Sequence, residues 1–220
     1  MLPIYLKDQD FNPPDDPIYY LLARDGLFLV KRTPFFEAAV PAGGIPWLES
    51  QEPGVRLTAP LLPADLLLQA VSFFRAVFKL YQSEAVALLA WREATRAYEL
   101  VIPHQRVGGG HCDYEVREFP AGLVRLGTIH SHAGLEAFHS ERDGADERHE
   151  DGFHLTVGNL DGNLTLSCSV VVQGYRGQIP PEHLFSPYPI PWAELPPEID
   201  WDREVTAKVT PLPRPIEFGT

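Results

Sequence analysis

Proline most restricts where this chain can build regular structure. Of its 22 prolines, ten fall in residues 1–63 and ten in residues 180–220; only Pro103 and Pro120 lie between. Proline lacks a backbone N–H and holds φ at about −65°, so central strands and helix interiors exclude it. The regular core is therefore expected between residues 64 and 179. Three regions follow: a β-rich N-terminal extension (1–62), a central domain (63–186) and a proline-rich tail (187–220). The tail is expected to lie extended across the surface or to dangle, and its aromatic residues favour packing or a partner contact over pure disorder. No internal repeat is present.

Residue patterning sets the elements. PIYYLLARDGLFLVKR (17–32) reads as a hairpin, two β-rich runs flanking Arg24-Asp25-Gly26. PADLLLQAVSFFRAVFKLYQ (63–82) reads as a helix: Pro63 suits the first turn, and Leu67, Val71, Phe74 and Phe78 recur at helical spacing. EAVALLAW (84–91), AYELVIP (97–103), LVRLGTIHSH (123–132), FHLTVGNL (153–160) and LTLSCSVVVQGY (164–175) read as strands. VGGGH (107–111) is a turn, and SERDGADERHEDG (140–152) is polar and starts like a helix. Helix, strands, helix and strands in this order predict a mixed α/β domain around a central sheet.

Composition excludes several partners. The net charge of −12 repels nucleic acid and anionic membrane. Cys112 and Cys168 form no CxxC and no disulfide framework, which suits a reducing, cytoplasmic setting. MLPIYLKDQDF has neither the basic nor the apolar region of a signal peptide. The longest apolar tract carries Asp65, Gln69 and Arg75, which argues against a membrane span.

The chemistry concentrates in GTIHSHAGLEAFHSERDGADE (127–147). Residues i and i+2 of a strand share a face, so His130 and His132 project together and Ser131 points away. Two imidazoles on one face suit one divalent ion. Asp143 follows 11 residues after His132, beyond a loop able to fold back. Two histidines and a carboxylate leave a fourth position open, the arrangement of hydrolytic zinc. Ser140-x-x-Asp143 equally fits a capping box at a helix N-terminus. HEDGFH lacks the HExxH spacing of zincins, and no PCxxC follows as zinc deaminases require. His139, His149 and His154 read as surface groups or supports of the site.

H-S-H, seven residues, then S-x-x-D, after an apolar strand, resembles the signature of the JAMM, or MPN+, metalloproteases. The resemblance spans roughly residues 64–175. It implies a cytidine-deaminase-like fold, a mixed central sheet flanked by helices, here with an N-terminal hairpin region and the proline-rich tail. AFHSERDGADERHEDGFHLTVGNLDGN is further similar to the bacterial PRTRC system protein A subgroup, through Phe138, Asp146-Glu147 and Gly152-Phe153.

By the same resemblance one zinc ion per chain is held by His130, His132 and Asp143. A glutamate at the start of the first core strand acts as general base, and Ser140 steadies the oxyanion. Glu84 is the best match for the base, with Ala87 standing where the family usually has glycine; Glu93 and Glu99 are its rivals. The implied activity is cleavage after the C-terminal glycine of a ubiquitin-like or sulfur-carrier protein, with a glycine-rich tail as substrate. The alternatives are a non-catalytic MPN scaffold and, more remotely, a sulfur-transfer accessory. Cys112, after the glycine run, is either a small buried residue or a gate to the site.

Overall fold

A helix whose middle turns are apolar on most sides must be covered on most sides, and the central helix of this chain is of that kind. In the computed structural model, which describes residues 1–108, 112–115, 119–137 and 149–212, α1 spans Ala64–Tyr81. Pro63 caps it in an extended conformation, and it closes at Gln82, whose left-handed φ of 52° lets its N–H reach the Phe78 carbonyl at 2.8 Å. The expected stripe included Leu67, Val71 and Phe74. All three are fully buried, but so are Phe73 and Val77, and Leu66 and Leu68 are nearly so. The helix is amphipathic, as its spacing suggested, with Asp65, Gln69 and Lys79 exposed, but its covered arc is wider than one stripe.

The chain divides into two compact units, Met1–Glu52 and Pro53–Thr220. In the first, β1 (Ile4–Leu6), β2 (Ile18–Ala23), β3 (Gly26–Arg32) and β4 (Glu37–Pro41) form a sheet in that order. β1 runs parallel to β2 and the other pairs are antiparallel. The expected hairpin is β2–β3, closed by Arg24-Asp25 with Gly26 at φ +132°. Tyr19, Leu21 and Val30 make its small core.

The second unit is built on a six-stranded mixed sheet. β5 (Leu62–Pro63) precedes α1. Then come β6 (Val86–Arg92), β7 (Ala97–Val101), β8 (His104–Val107), β9 (Cys112–Glu115), β10 (Leu123–Ser131), β11 (Gly152–Gly158), β12 (Thr165–Val172) and β13 (Tyr175–Gln178). The main sheet runs β13-β12-β11-β10-β6-β7, parallel only between β10 and β11. Gly127 makes that parallel contact possible: its φ is +153°, and a Cβ there would fall 1.8 Å from the Phe153 carbonyl oxygen. Ala87, Leu89, Ile129, Leu155, Val157 and Cys168 share the core with α1. The opposite face carries Thr128, His130, His154, Thr156 and Ser169, which alternate with those apolar residues.

As far as residue 212 the proline-rich segment does not dangle. β14 (Phe185–Ser186) pairs with β5. A second helix, α2 (Asp202–Lys208), leads into β15 (Val209–Pro211), which joins β8 and β9 in a three-stranded sheet. Pro196 and Pro197 offer carbonyls to the buried Ser72 hydroxyl at 2.8 and 3.2 Å. Trp201 stands edge-on against Phe73 at 5.5 Å, and Val205 is fully buried. This segment belongs to the core cluster that surrounds α1, which is why the helix can be apolar on both sides. The helix expected to start at residue 140 lies outside the described residues. No helix among the described residues is long and apolar enough to cross a membrane.

If residues 201–209 hold the core, small cavities there will cost stability. Val205→Ala removes two buried methyl groups and is expected to lower the unfolding free energy by about 2 kcal/mol. Urea denaturation should show a lowered midpoint with the slope retained; an unchanged midpoint would mean that the segment is not part of the cooperative unit.

Candidate metal centre

The C-terminal end of β10 is where the polar face of the sheet becomes reactive. His130 pairs with Val86 of β6 on one side and with Thr156 of β11 on the other. As the strand period requires, Ser131 points to the opposite face: it is fully buried and its hydroxyl accepts from the Ala85 N–H at 3.0 Å. His130 and His132 converge, their Nε2 atoms 3.3 Å apart and their rings inclined at 44°. Two nitrogen ligands at about 2.0–2.1 Å from a tetrahedral zinc lie about 3.3–3.4 Å apart, so the spacing fits a shared ion. Thr156 Oγ1 lies 3.2 Å from His130 Nε2 and so borders the same point.

Glu84 reaches this face through strand register. Ser131 N–H donates to the Ala85 carbonyl at 2.9 Å, continuing the pairing of His130 with Val86. One pair further, the same register would set Glu84 opposite His132. Glu84 is half-buried, two residues ahead of β6. Its rivals are placed elsewhere. Glu93 is exposed in the turn after Arg92, beyond six strand rises of about 3.3 Å each, hence roughly 20 Å from Val86. Glu99 on β7 is committed to Arg92, whose guanidinium hydrogen-bonds it and holds its carboxyl below the usual range.

The segment leaving His132 is stitched to the sheet. His132 N–H donates to the Val157 carbonyl at 2.8 Å, Asn159 N–H to Leu135 at 2.7 Å, and Leu160 N–H to Ala133 at 2.9 Å. Ala137 N–H donates to Thr165 Oγ1 at 2.8 Å. Gly158 is required beneath it: a Cβ there would sit 2.3–2.4 Å from backbone atoms of Leu135–Ala137. Ser140 and Asp143, with Phe138, His139 and Asp146-Glu147, lie outside the described residues. Among the described residues no three His, Cys, Asp or Glu side chains gather to hold an ion.

Of the two readings of His154, surface group or support, burial favours the second: it is fully buried. Its Nε2 donates to the Glu150 carbonyl at 2.8 Å, and in the neutral ring Nδ1 accepts from Thr128 at 3.0 Å. Ser169 Oγ donates to the His154 carbonyl at 3.2 Å and accepts from Arg176 at 2.6 Å. The alternation of His154 and Thr156 with Leu155 and Val157 was a signal that could have found them. Cys112 is half-buried near Glu84; burial first, and the negative charge of Glu84 second, push its thiol up to about 12. Burial does the same to Cys168.

Residues 68–169 match the family model described as prokaryotic homologs of the JAB domain. No curated protein matches in a sequence search. Among solved structures, a JAB1/MPN domain protein from Archaeoglobus fulgidus is 19% identical, covering 56% of this chain and 94% of its own, with a TM-score of 0.36. A structure described as a metalloprotease-like zinc site in the proteasome and signalosome is 20% identical, with 55% and 93% covered and a TM-score of 0.34. A protein from Desulfitobacterium hafniense is 16% identical, with 56% and 89% covered and a TM-score of 0.36.

The two thiols give a direct pH dependence. Their folded values, about 12, lie above the ordinary value of 9.0, so the folded state holds these protons more tightly. That stabilisation is complete below pH 9 and is lost as pH rises from 9 toward 12. Thermal midpoints should therefore fall across this window and fall less in Cys112→Ala. At pH 8 the native chain should resist iodoacetamide, with both thiols alkylated only after denaturation.

Proposed function

Because residues 68–169 match the model of prokaryotic JAB-domain homologs, we propose that the chain is a zinc-dependent peptidase or isopeptidase. The observation that carries this reading is the 3.3 Å approach of His130 and His132 Nε2, a separation suited to two ligands of one ion. Asp143 is the proposed third ligand. When bound, zinc supplies Lewis acidity, lowering the pKa of water at the site to about 7.

The chain's own groups do the rest. Thr156 Oγ1, 3.2 Å from His130 Nε2, borders the position the ion would occupy. Glu84 takes the proton of the attacking water and returns it to the leaving amine, acting first as base and then as acid. The Ser140 hydroxyl donates to the oxyanion that develops at the scissile carbonyl; losing one such donor costs on the order of 10²–10³ in rate. The substrate is an extended tail ending in glycine, on a ubiquitin-like or sulfur-carrier protein. Glycine passes a narrow entry because it has no side chain, and backbone pairing beside a strand supplies affinity without sequence.

Metal analysis and two substitutions test the reading. The purified chain should hold about one zinc, which His130→Ala and Asp143→Ala should each remove. Glu84→Gln should keep the metal and lose at least about a hundredfold in hydrolysis of a ubiquitin-like fusion. A Glu84→Gln variant as fast as its parent removes Glu84 as the base. A well-ordered chain that takes up no zinc after incubation with it assigns the protein to the scaffold class instead.

A further inference from the structure

Given that reading of Glu84, the outer edge of β6 acquires a role. β7 pairs with β6 from Arg92–Ala97 to Leu88–Val101. Carried two residues on, this register sets Val86 opposite Pro103, which has no N–H to give. The ladder must stop there. The Gln105 side chain fills the gap: its Nε2 donates to the Val86 carbonyl at 3.0 Å, and its Oε1 accepts from the Val86 N–H at 2.9 Å. The same Nε2 lies 3.4 Å from the Pro103 carbonyl. One primary amide thus supplies the donor and acceptor that a strand residue would have supplied.

Gln105 is well fixed for this. It is 3% exposed. It sits on β8 between Val209 of β15 and Tyr114 of β9, and the Cys112 thiol donates to its Oε1 at 3.2 Å. We propose that Gln105 is a positioning residue for the reaction: by holding Val86, the partner of His130, it fixes the Glu84 carboxylate two residues upstream against the histidine pair. A misplacement of about 1 Å at a reacting group can cost about a hundredfold in rate, so a clamp this close to the base bears on turnover rather than on binding. It also ties β15, at the far end of the chain, to the site.

The test compares the full chain with Gln105→Met, which keeps the length and loses both hydrogen bonds, and Gln105→Asn, which keeps the amide one methylene short. Zinc content, kcat and KM are measured on a ubiquitin fusion carrying a fluorescent reporter after its terminal Gly-Gly, with Glu84→Gln as reference. Crystal structures of the parent and Gln105→Met accompany the kinetics. The expected result is a fall in kcat of about ten- to a hundredfold in both variants, with KM and zinc within twofold of the parent and the Glu84 carboxylate displaced from the histidines. A parental kcat in either variant, or a loss of zinc and a raised KM alongside kcat, overturns the positioning role. If the parent hydrolyses nothing, the peptidase reading fails separately. The crystal comparison then decides alone: Glu84 unmoved in Gln105→Met overturns the inference, and Glu84 displaced upholds it.

Discussion

The pairing of β10 with β6 at His130 and Val86 holds the candidate centre together. A sheet has a side-chain period of two, so a slip of one residue would send His130 to the α1 face and Ile129 to the polar one. That slip is opposed by burial: Ala87, Leu89 and Ile129 are at most 1% exposed, in the core with α1. The apolar residues that fold the domain are therefore the ones that aim the histidines. Ser131 adds a local lock, bonding Ala85 through both its N–H and its hydroxyl, just where Glu84 enters the strand.

The polar face answers a cost of this arrangement. Thr128, His154, Thr156 and Ser169 are at most 4% exposed, and buried polar groups destabilise unless they are bonded. Their partners run across strands: Thr128 with His154, Ser169 with the backbone of His154 and with Arg176, Thr156 with His130. Such a network fixes side-chain rotamers more firmly than apolar contacts do. A separate contact, Thr156 with His130, orients that ring before any ligand arrives.

Much of the fold was legible because its periods are simple. The hairpin, α1 and the five longer strands all followed from alternation or helical spacing, with ends shifted by at most three residues. β8, β9, β13 and β15 were not read, since three or four residues carry too little pattern, and β8 and β9 adjoin the glycine run. The burial of Phe73 and Val77 was also hidden, because what covers them, Trp201 and Val205, arrives more than 120 residues later. In the site, the convergence of His130 and His132 was legible from their i, i+2 spacing. Gln105 was not, because its meaning lies in standing in for Pro103, two residues earlier, which cannot pair with Val86. Thr156 was passed over for a similar reason: it acts through a neighbour on another strand.

The covering of α1 from both sides also sets an order of events during synthesis. The helix is complete once Tyr81 has emerged, and the sheet can dock on one flank when β10 to β12 follow. Its other flank, with Phe73 and Val77, waits for Trp201 and Val205. At about 5–20 residues per second the nascent chain carries a bare apolar surface for several seconds. A ribosome that stalls or terminates in that interval leaves a body with a greasy seam, the kind of species that holding chaperones bind and proteases clear.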